Sequence, residues 1–177
     1  MDVFVEYMVK RKWGIADWLK LSGVITVGAI IFCAGMILFA TIEGLFQLSF
    51  LLLIGIIALI YFYATRQLIE YEYTVTNGYV AIDAIYAKKS RKRLISFESR
   101  DLQVFDAYDP IAIKKKSFDT RVLASGRDDP EKDWYAVFTH KAKGKTLLVF
   151  SPNSAVLGAM KPFVPRNIGS PVWRKTK

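Results

Sequence analysis

The chain has 177 residues, of which 53% are hydrophobic and 23% are charged, and its formal net charge is +9 at pH 7. That length fits one ordinary domain, but most aliphatic residues fall in two uncharged stretches, residues 21–42 and 45–65. This distribution excludes a soluble enzyme and indicates a membrane protein. One cysteine, Cys33, and one histidine, His140, exclude an intrachain disulfide and a Cys/His metal site. We expect neither a cofactor nor a metal.

Residues 1–20 are predicted to form an interfacial amphipathic segment. Apolar residues recur there at the spacing of a helix: Phe4, Tyr7, Met8, Ile15 and Trp18. Trp13 and Trp18, close to the first apolar stretch, match the preference of indole rings for the headgroup region. We therefore expect a helix lying on the inner leaflet. A helix packed on the cytoplasmic domain is the alternative.

Residues 21–65 are predicted to form a two-helix transmembrane hairpin. At about 1.5 Å per residue the two stretches reach roughly 33 and 31 Å, enough for a hydrocarbon core of about 30 Å. Basic residues precede the first span and follow the second, whereas Glu43 is the one charge between them. The positive-inside rule then predicts a multi-pass protein of the cell membrane with both termini in the cytoplasm.

Small residues predict how the hairpin packs. Gly28 and Gly35 lie on one face of the first helix, and Gly55 and Ala58 offer small side chains at a similar depth in the second. Small residues allow membrane helices to approach closely. We favour a hairpin that packs against itself over a docking face for another protein.

From residue 66 the hydrophobic period changes to two, which indicates strands. Ile69, Tyr71, Tyr73 and Val75 alternate with polar residues, and Asn77-Gly78 favours a two-residue hairpin turn. Further strands are predicted near residues 79–87, 91–97, 102–106, 120–124, 134–140 and 146–150. Ser151 as N-cap and Pro152 at the first helical position predict one short closing helix. Residues 66–166 thus form an antiparallel roll of about seven strands with a C-terminal helix, and residues 167–177 form a basic tail.

This order of elements resembles a pleckstrin-homology (PH)-type roll. The resemblance is carried by residues 73–78 at the first hairpin, by Arg91-Lys92-Arg93 entering the third strand, and by the helix at residues 152–161. The whole chain also resembles a family of two-helix membrane proteins from Gram-positive bacteria, through residues 4–7 and 9–12 at its start and residues 152–153 and 160–166 near its end. The resemblance implies an α+β membrane protein with a cytoplasmic PH-like domain, and it implies no activity.

One departure from the PH pattern concerns lipid recognition. In eukaryotic lipid-binding members, the loop between strands one and two is basic and binds inositol phosphates. The first predicted hairpin turn here is Asn77-Gly78, which is short and uncharged. Specific phosphoinositide binding is therefore not expected.

The loop charges predict an orientation of the roll. If the strands alternate in direction, segments 88–93, 107–118 and 141–145 lie near the membrane, and segments 98–101 and 126–133 lie away from it. Nearly all the excess positive charge falls in the near segments, and anionic lipid attracts such residues. We predict that these residues face anionic lipid, with ordinary solvated turns as the alternative: Lys88, Lys89, Arg91, Lys92, Arg93, Lys114, Lys115, Lys116, Lys141, Lys143 and Lys145.

The leading functional hypothesis is a non-enzymatic, membrane-anchored adaptor or scaffold that presents its outer face to a protein partner. The predicted partner-facing residues are Asp128, Asp129, Glu131 and Trp134, although core packing is the favoured role of Trp134. An enzyme is not expected, because His140 has no partner carboxylate at a recognisable spacing. The alternatives are an accessory subunit of a larger membrane complex and a membrane-tethered nucleic-acid binder, whose basic loops would have to face the cytosol.

Overall fold

In a computed structural model of the protein, the described residues are 2–42, 45–114, 116–127 and 132–168. The chain divides into two compact units, a β unit (Met1–Lys12 with Ile69–Lys177) and a helical unit (Trp13–Leu68). The described residues form eight strands and four α-helices, in this chain order: β1 (Phe4–Lys10), α1 (Ile15–Ala40), α2 (Leu48–Arg66), β2 (Ile69–Thr76), β3 (Tyr79–Tyr86), β4 (Ser90–Glu98), β5 (Leu102–Ala107), α3 (Pro110–Lys114), β6 (Thr120–Ala124), β7 (Trp134–His140), β8 (Gly144–Phe150) and α4 (Ser154–Met160).

The helical unit contains two helices that are long and apolar enough to cross a membrane, α1 with 26 residues and α2 with 19. A Cβ atom at Gly28 would lie 2.9 Å from Ile56 Cγ2, and one at Gly35 would contact Leu52. The two glycines of α1 therefore lie against α2, and the hairpin packs against itself as predicted. Gly55 takes no part in this packing, because a Cβ there would meet nothing within 4 Å.

The predicted interfacial helix at the N-terminus is wrong, because residues 4–10 form strand β1. β1 pairs antiparallel with β2 along its whole length, from Phe4↔Thr76 to Lys10↔Glu70. Val5, Tyr7 and Val9 pack on the core of the β unit, and the residues between them are exposed. Two of the exposed residues of β1, Phe4 and Met8, are apolar. Together with Tyr7 they produced the apparent spacing of a helix. Residues 1–20 are thus not one segment, since α1 already begins at Ile15.

The helical unit is consequently an insertion between the first two strands of the β unit. The predicted domain of residues 66–166 lacks its first strand. Asn77-Gly78 joins β2 to β3, so it is not the loop that corresponds to the lipid-binding loop of the PH pattern. The connection between strands one and two contains both apolar helices instead.

Sheet A has the order β1-β2-β3-β4 and sheet B the order β5-β7-β8-β6. All pairs are antiparallel except β6 and β8, which are parallel. The expected up-and-down series therefore fails after β5. The connection that carries α3 crosses the outer face of sheet B, where Ile113 is buried with alternate residues of β7 and β8: Tyr135, Val137, Leu147 and Val149.

The main core lies between the two sheets and is closed by α4. Its largest fully buried side chains include Tyr73, Phe105, Phe138 and Phe150, and α4 contributes Val156 and Met160. The N-cap of α4 is Asn153 rather than the predicted Ser151, because the Asn153 side chain accepts a hydrogen bond from Val156 N at 2.9 Å. Two sheets and a C-terminal helix agree with the predicted PH-like α+β fold.

Candidate lipid-facing and partner-facing surfaces

The turn between β3 and β4 presents two lysines to solvent. Ala87 and Lys88 both have positive φ, 50° and 58°, and Lys89 N donates to Tyr86 O at 3.0 Å. Positive φ at two successive residues is the geometry of the tight turns that join twisted strands. Lys88 and Lys89 are exposed at its tip, and Lys92 is exposed on the strand that follows.

The end of β1 lies at this same end of sheet A. Arg11 N donates to Ile69 O at 2.9 Å, and Ile69 pairs with Tyr86 beside the turn. We call this set of residues the basic end of sheet A: Lys10, Arg11, Lys12, Lys88, Lys89 and Lys92. The chain leaves for α1 directly after Lys12 and returns from α2 at Ile69. Three members of the set, Lys10 to Lys12, were absent from the prediction, although period-two alternation of Val3, Val5, Tyr7 and Val9 could have revealed the strand that places them.

Arg91 and Arg93 play a different part from the lysines beside them. Each forms an ion pair with a nearly buried carboxylate, Arg91 with Glu72 and Arg93 with Asp83. The side chains of Glu72 and Asp83 are 4% and 6% exposed, whereas those of the arginines are more than half exposed. The two arginines therefore cover buried acids on the outer face of sheet A, and their charge is largely balanced there.

Arg93 and Glu72 both have pKa values above their usual ones, for different reasons. The hydrogen bond to Asp83 raises the pKa of Arg93, which keeps the guanidinium charged. Burial raises the pKa of Glu72, and a hydrogen bond with Glu6 on β1 raises it further, against the lowering effect of Arg91. Glu6 and Glu72 are diagonal neighbours in the β1–β2 register, a spacing at which long side chains meet.

The lysines of the β7–β8 turn lie elsewhere, beside the start of β6. Asp119 N donates to Lys145 O at 3.0 Å, and Asp119 Oδ2 accepts from Lys145 N at 2.8 Å. Thr120 Oγ1 donates to Lys143 O at 3.0 Å. We call the exposed cations gathered here the basic surface of sheet B: Lys116, Arg121, Lys141, Lys143 and Lys145.

Lys12, in the basic end of sheet A, and the β7–β8 turn lie at different ends of sheet B. Gly126 O accepts from Lys12 N at 2.8 Å, so the start of segment 126–133 lies beside the basic end of sheet A. That contact is next to the Trp134 end of β7, whereas the β7–β8 turn is at its other end, about 20 Å away for a strand of this length. Segment 126–133 was predicted from strand alternation to lie away from the membrane, but it begins beside the residue after which the chain enters α1. The physical reason for this difference is the parallel β6, which places β5 and β6 in the same direction.

The remaining predicted site residues divide into three groups. Lys114 is exposed at the end of α3. Lys115, Asp128, Asp129 and Glu131 lie outside the described residues. Trp134, predicted as partner-facing with core packing as its favoured role, is only 8% exposed, and its ring lies 5.0 Å from that of Phe105. Trp134 is therefore a core residue.

Asp133 ends the acidic segment as a buried structural residue. Ser151 Oγ donates to Asp133 Oδ1 and accepts from Gly126 N. His140 Nδ1 accepts from Ala142 N at 3.1 Å within its own hairpin. In the described part of the chain, no three or more His, Cys, Asp or Glu side chains are grouped so as to hold a metal ion.

Comparison with known proteins gives one match. A family model described as "Bacterial PH-like domain (DUF6106)" matches residues 1–170. No curated protein and no solved structure matches the chain. The match includes β1 and both apolar helices, in agreement with a β unit that is built from both sides of the helical insertion.

Proposed function

Since the chain belongs to the bacterial PH-like domain family DUF6106 and contains two helices able to span a membrane, we propose that it is a non-enzymatic, membrane-anchored adaptor whose β unit contacts anionic lipid. The basic end of sheet A makes the lipid contact, and other surfaces of the β unit remain available to a partner. The proposal narrows the predicted lipid-facing set to Lys88, Lys89 and Lys92, with Lys10, Arg11 and Lys12 added.

The observation that carries this proposal is the position of the basic end at the point where the chain enters and leaves the helical unit. Lys12 is three residues from the first residue of α1, so extended chain separates them by at most about 11 Å. Each basic side chain near an anionic leaflet contributes about 1 kcal/mol of attraction, which decays beyond a Debye length of about 8 Å. Lys88, Lys89 and Lys92 would together contribute roughly 3 kcal/mol.

Strand pairing supports the proposed topology. β1 and β2 are hydrogen-bonded neighbours in one sheet, and the two apolar helices lie between them in the chain. A hairpin that crosses the bilayer twice returns the chain to the side on which it started, as this pairing requires. The Lys and Arg residues next to both helices favour the cytoplasmic side of the cell membrane for the β unit and for both termini.

The proposal is tested with the full chain in nanodiscs. In a Cys33→Ala background, a spin label is attached either to Ser90→Cys, in the β3–β4 turn, or to Ala142→Cys, in the β7–β8 turn. Lipids with nickel-chelating headgroups report the distance of each label from the bilayer surface. We expect strong relaxation of the label at residue 90 in discs that contain phosphatidylglycerol, and weaker relaxation in discs of phosphatidylcholine alone.

Two triple variants with the same loss of charge complete the test. Replacing Lys88, Lys89 and Lys92 with Gln should remove the effect of phosphatidylglycerol on the label at residue 90. Replacing Lys141, Lys143 and Lys145 with Gln should leave that effect intact. Equal relaxation in both kinds of disc, or equal responses of the two variants, would contradict the lipid contact.

A further inference from the structure

The basic surface of sheet B is separate from the proposed lipid contact, and we propose that it binds an acidic protein segment, one with several Asp or Glu residues in a run. This inference names the partner class of the proposed adaptor and rests on that function. It concerns Lys116, Arg121, Lys141, Lys143 and Lys145, a different set from the residues of the basic end of sheet A.

The cations of this surface are held together by the fold. Two hydrogen bonds to the Lys145 backbone, one from the Asp119 amide and one to the Asp119 carboxylate, fix the segment before β6. A Cβ on Gly144 would collide with the Asp119 side chain. Arg121 and Lys145 both lie over the ring of Phe118, at 5.7 and 5.8 Å from its centroid. Arg121 also donates to Lys116 O at 3.3 Å. The charges are thus gathered from two chain segments into one surface.

The positive charge of this surface is only partly balanced by neighbouring acids. None of the five cations forms an ion pair with a carboxylate of the described residues, and all five are exposed. Asp119, the acid within the group, offsets one of the five positive charges, and its carboxylate accepts a hydrogen bond from the Lys145 backbone. Lys143 Nζ donates to Leu94 O at 2.6 Å, which positions one ammonium group without neutralising it. This contrasts with Arg91 and Arg93, whose carboxylate partners lie beneath them.

The chemistry favours carboxylates over nucleic acid. Binding of single-stranded nucleic acid commonly uses aromatic faces on which bases stack, but the Phe118 ring is already occupied by Arg121 and Lys145. Four of the five cations are lysines, whose ammonium groups act as point charges and do not need a bidentate partner. Such a surface suits an acidic peptide whose side chains approach independently.

The distance from the basic end of sheet A leaves this surface for a partner in the aqueous phase. Lys12, which is bonded to Gly126, and the β7–β8 turn lie at opposite ends of sheet B, about 20 Å apart. This distance is more than twice the Debye length of about 8 Å at physiological ionic strength. Lys92 lies closer, because Lys143 Nζ donates to the carbonyl of Leu94, two residues further along β4. A leaflet that attracts Lys12, Lys88 and Lys89 therefore exerts little attraction on Lys141 and Lys145. The two surfaces can serve lipid and protein at the same time.

The test measures binding of fluorescent poly-glutamate to the full chain in nanodiscs of phosphatidylcholine alone, where no anionic lipid competes. Replacing Lys141, Lys143 and Lys145 with Gln should weaken binding about tenfold, as expected for the loss of three exposed charge contacts. The matched variant with Lys10, Lys88 and Lys89 replaced by Gln, which leaves Lys92 beside Lys143 unchanged, should bind within about twofold of the unchanged protein. Binding should weaken further as salt is raised.

Three results would overturn the proposal: no binding of poly-glutamate at low salt, equal weakening by both triple variants, or tighter binding of an oligothymidylate of equal charge that is lost on replacement of Lys141, Lys143 and Lys145. The last result would identify a nucleic-acid surface instead. None of them alters the spin-label test at residue 90, so failure of this inference and failure of the lipid contact are distinguishable.

Discussion

The hydroxyl group of Tyr73 joins three parts of the β unit. It donates to the carbonyl of Ala124 at the end of β6 and accepts from Ser151 N, after β8, at 3.2 Å. Tyr73 is fully buried on β2, and this burial raises the pKa of its hydroxyl. The proton therefore stays on the oxygen at physiological pH, and the hydroxyl keeps both its donor and its acceptor role.

Replacing Tyr73 with Phe should lower the free energy of unfolding of the β unit by about 1–3 kcal/mol, because the Ala124 carbonyl and the Ser151 amide would be left buried without this partner. Chemical denaturation of the full chain in detergent measures the change. Tyr86→Phe is the matched control, since the Tyr86 hydroxyl has no hydrogen bond to a described residue, and it should change stability by less than about 0.5 kcal/mol. Equal effects would contradict the assigned role.

The acids of sheet A predict how stability depends on pH. The pKa of Glu72 is raised above its usual value of 4.5, first by burial and then by Glu6. A carboxyl whose folded-state pKa is raised contributes stability below its unfolded pKa, and that contribution is lost as pH rises through the folded pKa. Stability should therefore fall as pH rises from about 4.5.

Replacing Glu6 with Gln should flatten this pH dependence and raise stability at neutral pH, because it removes a like charge while an amide can still hydrogen-bond to Glu72. Denaturation curves measured across the pH range test this. Glu98→Gln removes the same charge from a residue paired with Arg100 and should not flatten the curve. An unchanged pH profile in the Glu6 variant would show that the two acids do not interact.

At the scale of elements, β1 is the edge strand of sheet A that was predicted as a helix, although its inward residues alternate with period two. Asn77 holds its start, accepting from Val3 N and donating to Val3 O, both at 2.9 Å. Gly126 holds its end, because a Cβ there would lie 2.6 Å from Val9 Cγ1 and 3.3 Å from Lys10 O. The strand is thus fixed by residues more than 70 positions away in the chain.

Gly126→Ala should destabilise the β unit by about 1–3 kcal/mol, since the added methyl group must displace Val9 or the β1 backbone. Hydrogen exchange should become faster in β1 and remain unchanged in β3. Gly158→Ala is the control, because a Cβ at Gly158 in α4 meets nothing within 4 Å, and replacing a helical glycine should be neutral or stabilise by up to about 1 kcal/mol. A stable Gly126 variant would show that the contact is loose.

The elements that were predicted correctly are those with a strong local signal. Each of them has alternating apolar and polar residues, turn residues at its end, or a proline that ends it: β2, β3, β7, β8 and α4. β1 was misassigned because its exposed side carries Phe4 and Met8, so neither face is purely polar. The direction of β6 was also missed, since it depends on Ile113 packing across the outer face of sheet B, a contact that no short window contains.

At the scale of the whole molecule, the strands of the β unit pair with one another without any contribution from the two apolar helices. Arg11 and Ile69 are hydrogen-bonded neighbours, so a short loop could replace the residues between them. Shortening a connection lowers the entropy lost on closing it. The insertion therefore adds no strand to the β unit.

Replacing residues 12–68 with a short Gly/Ser loop should produce a soluble, monomeric β unit, as measured by gel filtration and hydrogen exchange. A chain that begins at residue 66 should aggregate instead, because loss of β1 exposes Tyr73 and Val75 beneath it and leaves β2 as an unpaired edge. The opposite outcome, soluble without β1 and aggregated with it, would contradict the discontinuous domain.

Composition and periodicity alone were sufficient to predict the two apolar helices, the β-rich remainder, the closing helix and the excess of positive charge. Each of these features is a property of residues that are neighbours in the sequence. Which basic residues share a surface, which arginines are balanced by buried acids and where Trp134 lies depended on contacts between distant segments. Strand direction and sheet order decide those contacts, and both are set by packing across the core rather than by any local pattern.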